Sequence, residues 1–195
     1  MPSDIDPKSG FRLPLPKRED LDDAGKAVLD RAMGPDGRPL DLQGPVGAML
    51  YSTKVGELQS QLNKYLRYEA GFSARIREVA ILTAAREADS QFEWVQHEAI
   101  ALREGLEPAV IDVIRHRKAT DGLDSAEASV IQFGRELLGN HNVTPETFAK
   151  IKSLFGPHRT VDLAMLMGNY VAMAAVLTAL DMQLRPGQVA SLPIP

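Results

Sequence analysis

The sequence predicts an all-α fold of about eight helices joined by short loops. Apolar residues recur at helical spacing through most of the 195 residues. Gly and Pro punctuate the chain at intervals that suit helix lengths. No stretch longer than the N-terminal arm alternates polar and apolar residues, and no hairpin signal is present.

Residues 1–20 carry Pro2, Pro7, Pro14 and Pro16, which prevent a regular helix. They are expected to form an extended arm whose apolar edge, Phe11, Leu13 and Leu15, packs on its own domain or on a neighbouring subunit. Asp20 to Met33 reads as the first helix, stopped by Gly34-Pro35-Asp36-Gly37. A loop follows through Gly44-Pro45 and Gly47. Val55, Leu58, Leu62 and Leu66 then mark a helix over 54–70 that ends at Gly71. Ala74 to Ala88 is a third helix, apolar between charged ends. Gln91 to Glu104 is a fourth, closed by Gly105. Glu107-Pro108 opens a fifth, with Val110, Ile111 and Ile114 on its apolar side. Asp124 and Glu127 form a capping pair ahead of Val130, Phe133, Leu137 and Leu138. Thr144-Pro145 opens another helix that ends near Phe155-Gly156-Pro157. Arg159 to Leu184 is the longest and most apolar segment, expected to lie buried centrally or in a subunit interface. Pro186 ends it. Three segments are therefore expected: an arm over 1–20, a single helical domain over 21–185 and a tail over 186–195.

Composition narrows the functional classes. Hydrophobic residues make up 44% and charged residues 25% of the chain, as in an ordinary globular protein. The net charge of -4 gives no general basic footprint, so nucleic acid is not an expected partner. The chain has no cysteine, which excludes disulfides, thiolate-held zinc or iron–sulfur clusters, and thiol redox chemistry. No secretory signal is recognisable, and no uninterrupted apolar run reaches about 18 residues, so a membrane span is not expected and the location is expected to be cytoplasmic. His116, His141 and His158 are scattered, and no metal site is expected. Arg115-His-Arg-Lys118 is a short basic patch at a helix end, where positive charge suits the dipole.

The chemistry concentrates between Glu78 and His97. At about 100° per residue, Ser90, Glu93 and His97 share one narrow stripe of a helix. A second acid, Glu78, opens the apolar run of the preceding helix. A hydroxyl, two carboxyls and an imidazole can move protons and steady a developing negative charge without a cofactor. Each residue also has a purely structural reading. Ser90-x-x-Glu93 is a capping box. Glu78 is spaced to pair with Arg75 at the surface. Trp94 and Tyr170 either wall a pocket or pack in the core. Arg77 and Arg86 either neutralise an anion or are helix-surface charges.

The order Arg75-Ile-Arg-Glu78, apolar run, Glu93-Trp94, His97, Ala101 and Gly105 resembles the carboxymuconolactone decarboxylase family, which includes the alkylhydroperoxidase AhpD-type proteins. The resemblance extends from Arg12-Leu-Pro-Leu15 through Gly44-Pro45 to Gly168-Asn-Tyr170. It is strongest at Arg77-Glu78 and at Glu93-Trp-Val-Gln-His97. It implies an AhpD-like helical domain and an oligomer, a trimer or hexamer. The AhpD-type branch carries Cys-x-x-Cys between its glutamate and its histidine. Those two positions are Ser90 and Glu93 here, so the peroxidase chemistry of that branch is not expected. The resemblance to the cysteine-less branch implies a cofactor-free carboxy-lyase that removes CO2 from a small carboxylated, unsaturated lactone or a related intermediate of aromatic-compound breakdown. Such a substrate is its own electron sink. In this reading His97 donates the proton, Glu78 and Glu93 orient or tune it, and Ser90, Trp94, Arg77 and Tyr170 contact substrate. Two alternatives share the fold: another proton-transfer enzyme, an isomerase or hydratase, and a thiol-less subunit with a binding or assembly role.

Overall fold

The computed structural model describes residues 2–32 and 42–194. Among these residues there are eight α-helices and no strand: α1 (Asp23–Ala32), α2 (Pro45–Met49), α3 (Thr53–Lys64), α4 (Ala74–Glu87), α5 (Gln91–Arg103), α6 (Pro108–Arg115), α7 (Ser125–Gly134) and α8 (Pro145–Ala179). A single antiparallel bridge joins Asp6 to Phe11. The all-α expectation holds. The expected stop of the first helix at Gly34-Pro35 lies outside the described residues.

Three local features depart from the sequence reading. The stretch around Gly44-Pro45 is not a plain loop but the short helix α2, with Pro45 in its first turn. Gly47 permits it, because a Cβ there would meet the Leu42 carbonyl oxygen at 2.1 Å. Both α3 and α7 run on into π-helical turns, Tyr65–Glu69 and Arg135–Gly139. Within α8 the chain kinks at Gly156, whose φ of 76° is left-handed, at the place where the sequence reading ends one helix before Pro157 and starts the next. The second part stops at Ala179 rather than Leu184. Asp181 turns left-handed there, and Met182 N–H caps the Leu177 carbonyl at 2.9 Å. The α8 helix is long and apolar enough to cross a membrane by length and composition, and half of its most apolar window is buried inside the protein.

The chain packs as two compact units, Met1–Leu62 with Val176–Gln188, and Asn63–Ala175 with Val189–Pro195. In the first, the arm is tied to the chain beyond α8: Arg12 N–H donates to the Leu180 carbonyl and Gln183 N–H to the Gly10 carbonyl, each at 2.9 Å. Phe11 is fully buried, and Leu15 packs on a cluster of Leu21, Leu42 and Leu50. Leu13 stays exposed, so the expected apolar edge of the arm is only partly used.

The second unit is built around α4. Ser73 caps this helix by accepting from the Ile76 N–H. Every residue from Ile76 to Arg86 is buried, because α4 packs against α5, α6, α7 and the π-turn that follows α7. Small residues allow the close approach. At the α4–α7 crossing a Cβ on Gly134 would lie 2.5 Å from Thr83 Cγ2 and 3.1 Å from Met167 Cε. Any side chain on Glu78, in the first turns of such a helix, therefore has to be satisfied inside the protein.

Candidate active site

Glu78 is satisfied by three groups of the second unit. Its Oε2 lies 2.7 Å from His97 Nδ1. Its Oε1 accepts from Arg77 Nε at 2.9 Å. An Arg67 Nη stands 4.0 Å from the same oxygen. The surface pairing with Arg75 is not made. Arg75 instead bridges Glu107 and the buried Glu127. Glu78 is fully buried, and His97 is 7% exposed.

The charge states follow from these contacts. Burial acts to raise the Glu78 pKa, but His97, Arg77 and Arg67 together hold it below the ordinary value. Burial lowers the His97 pKa; Glu78 opposes this, and Arg67 and Arg77 add to it, leaving a net depression. At neutral pH the pair is thus an ionised carboxylate and a neutral imidazole. An ionised carboxylate can only accept, so Nδ1 carries the proton and Nε2 keeps its lone pair. Tyr170 closes one side of the ring, its centroid 4.9 Å from that of His97 at an interplanar angle of 88°. Burial raises the Tyr170 pKa, so its phenol stays protonated.

Glu93 is the opposite case. It is 4% exposed, and neither of its carboxyl oxygens has a hydrogen-bond partner. Burial pushes its pKa up to about 8, with the Ser90 hydroxyl a weak opposing influence. Ser90 occupies the N-cap position of α5 without making a side-chain cap bond, so the capping-box reading is not realised. Glu93 is a neutral acid at pH 7, one helical turn from His97 along α5.

The structure brings Glu78, His97, Arg77 and Tyr170 into direct contact and sets Glu93 and Ser90 on the same helix face. It does not bring Trp94 to them. Trp94 is fully buried, its indole N–H donates to Glu98 at 3.0 Å, and Arg115 covers its ring. Arg86 is likewise engaged elsewhere, with the Pro193 carbonyl and Asp89. Sequence reasoning missed Arg67 and Tyr68. They sit on the π-turn after α3, and both Arg67 and Arg77 lie over the Tyr68 ring, at 5.1 and 5.4 Å from its centroid. Arg67 Nε is buried without a partner. Arg67 lies in a π-turn, a feature that no sequence periodicity announces. Among the described residues no group of three or more His, Asp or Glu side chains is arranged to hold a metal.

Comparison with known proteins agrees with this frame. The model of the carboxymuconolactone decarboxylase family matches residues 54–133, the span that holds Arg67, Glu78, Glu93 and His97. No curated protein matches the sequence. One similar solved structure is the alkylhydroperoxidase AhpD core of an uncharacterized peroxidase-related protein from Ralstonia eutropha JMP134. It superposes with a TM-score of 0.69 at 15% identity, covering 91% of this chain and 93% of that one. At that identity the likeness concerns the fold alone. Residues 54–133, with the buried acid–imidazole pair at their centre, thus match the model of the carboxymuconolactone decarboxylase family, and the fold is AhpD-like.

Proposed function

We propose that the chain is a cofactor-free lyase of the carboxymuconolactone decarboxylase type, acting on a small carboxylated, conjugated lactone or a related compound. The observation that carries this reading is the pairing of opposite states on one face of α5. Glu93 holds a proton at neutral pH, and His97 is kept neutral beside an ionised Glu78. Such separation of two titratable groups by their environments assigns an acid and a base.

The roles differ from the sequence expectation in one respect. A neutral imidazole whose Nδ1–H is spent on Glu78 has no proton to give, so Glu93 is the donor. In the reaction the bond between the substrate carbon and its carboxylate breaks. CO2 leaves, and the electron pair enters the conjugated lactone as an enolate. The enolate carbon then takes the proton of Glu93, and the Glu93 carboxylate is recharged from solvent. His97 Nε2 takes up that proton and passes it on, and Glu78 stabilises the transient imidazolium. Arg67, whose Nε–H is left unused by the chain, faces the developing negative charge.

The test is CO2 release from a carboxylated unsaturated lactone by the full chain and by Glu93→Gln and His97→Gln. The expected outcome is a loss of about 10²–10⁴-fold in kcat for Glu93→Gln, the range for a positioned acid. Undiminished turnover in both variants overturns the assignment. An acid and a base on one helix face also suit a proton shift within the substrate. Product isomerised without CO2 would select that second reading. The active form is proposed to be a trimer or hexamer. Val161 and Met165, large apolar residues exposed one turn apart on α8, support an interface there, and light scattering of the purified protein checks it.

A further inference from the structure

A concavity lies within the same unit and shares no residue with the Glu78–His97–Glu93 cluster. It is a pocket of about 310 Å³ lined by Arg86, Arg115, His116, Arg117, Pro193 and Ile194. Its volume falls at the small end of ligand sites, about 300–1,000 Å³. Three guanidinium groups and an imidazole line it, and no carboxylate is among the described lining residues.

The acids that serve these cations stand behind the lining. Arg115 pairs with Glu98, Arg86 with Asp89, Arg117 with Glu87 and Asp89, and His116 with Asp112. These partners do not exhaust the donors. The Nε atoms of Arg86 and Arg115 are both buried and unpartnered. The cations also crowd one another. Burial and then the nearby Arg117 charge lower the Arg86 pKa, outweighing Asp89 and Glu87. One wall is chain that has been fastened down. Arg86 donates to the Pro193 carbonyl at 2.6 Å, Ser191 Oγ donates to Glu98 at 2.5 Å, and Leu192 is buried. A concave surface lined by three guanidinium groups and an imidazole, with no carboxylate among its described lining residues, matches the oxygens of phosphate and carboxylate groups.

We propose that this pocket is a binding site for a small, multiply charged oxyanion, a phosphorylated or polycarboxylate metabolite, separate from the candidate catalytic cluster. The fold supplies its own reporter. Trp94 is the single tryptophan of the chain, and the Arg115 guanidinium lies 5.6 Å from its ring centroid. An anion that draws on Arg115 changes the field at that indole.

The experiment titrates the full chain with inorganic phosphate, pyrophosphate and citrate at constant ionic strength set by sodium chloride. It follows Trp94 emission and the thermal unfolding midpoint. The expected result is a saturable emission change and a raised midpoint with at least one anion; pyrophosphate or citrate as the better ligand identifies the phosphate or the carboxylate source. Arg117→Gln, on the exposed rim, and Arg115→Gln should each weaken binding at least tenfold, about 1.4 kcal/mol. Arg117→Gln keeps the test sound if Arg115→Gln disturbs folding, since Arg115 is the cation placed over the Trp94 ring. No saturable response beyond that of sodium chloride, or equal affinity in Arg117→Gln, overturns the proposal. Turnover by the Glu78–His97–Glu93 cluster has no part in this readout.

Discussion

Replacing Glu93 by Gln removes one proton and little volume. The folded chain holds that proton up to about pH 8, whereas an ordinary glutamate loses it near 4.5. Below pH 4.5 both states are protonated and stability carries no cost from this group. Between 4.5 and 8 the unfolded chain ionises while the folded chain does not. The native state then binds more protons, and stability falls as pH rises. Above 8 the folded form ionises too, and the loss levels off. At about 1.4 kcal/mol per pH step, the span from pH 5 to pH 9 takes about 4 kcal/mol from the wild type. The substituted glutamine does not titrate. Its amide is buried without partners, but that cost is the same at every pH. Urea unfolding of wild type and Glu93→Gln at pH 5, 7 and 9, followed by circular dichroism, isolates the effect as a difference of differences. The variant should gain about 4 kcal/mol on the wild type across the range. A gap that does not change with pH refutes a neutral, buried Glu93, and with it the proton donor proposed here. The same pKa leaves about nine-tenths of the molecules protonated at pH 7, so activity that depends on this acid should decline as pH rises through 8.

Two further outcomes test the surroundings. Arg67→Met removes a positive charge that depresses His97, so the His97 ring should titrate at higher pH in an NMR titration; an unmoved midpoint would show that Arg67 does not act on the pair. Gly134→Ala places a methyl 2.5 Å from Thr83 Cγ2 at the α4–α7 crossing and should cost about 1–3 kcal/mol, seen as a lower thermal midpoint; an unchanged midpoint would mean that the crossing opens freely.

The sequence announced the helices that have ordinary apolar periods and ordinary stops. Gly71, Gly105 and Pro108 bound α3 with its π-turn, α4, α5 and the start of α6 within a residue or two of the expected places. It did not announce what depends on backbone register. The π-turn at Tyr65–Glu69, which carries Arg67, inserts one residue into a helix without changing its composition. Helix α2 is five residues long, too short for a periodic pattern, and is held by the steric demand at Gly47. In the candidate site the stripe Ser90–Glu93–His97 was legible because helical spacing is enough to define it. The depth of burial was not legible, because it depends on α4 being covered on every side. Both carboxyls are buried, and the partners decide the outcome: Glu93 has none and keeps its proton, whereas His97, Arg77 and Arg67 hold Glu78 ionised.

That difference bears on the absent thiols. In the AhpD-type pattern the position of Glu93 belongs to a cysteine, which cycles between thiol and disulfide. A carboxyl there has no redox chemistry, but if it is left dry and unpartnered it becomes an acid with a pKa near working pH. The neighbouring Glu78 meets the same dryness with three cationic or hydrogen-bonding partners and goes the other way. The substitution therefore does not simply delete a function from the fold. A carboxyl at this position holds a proton one helical turn from an imidazole whose Nε2 is unprotonated. The double variant Glu93→Gln, His97→Gln discriminates the cases: if acid and base act on one proton path, its turnover is no lower than that of the worse single variant, whereas independent roles multiply the two losses.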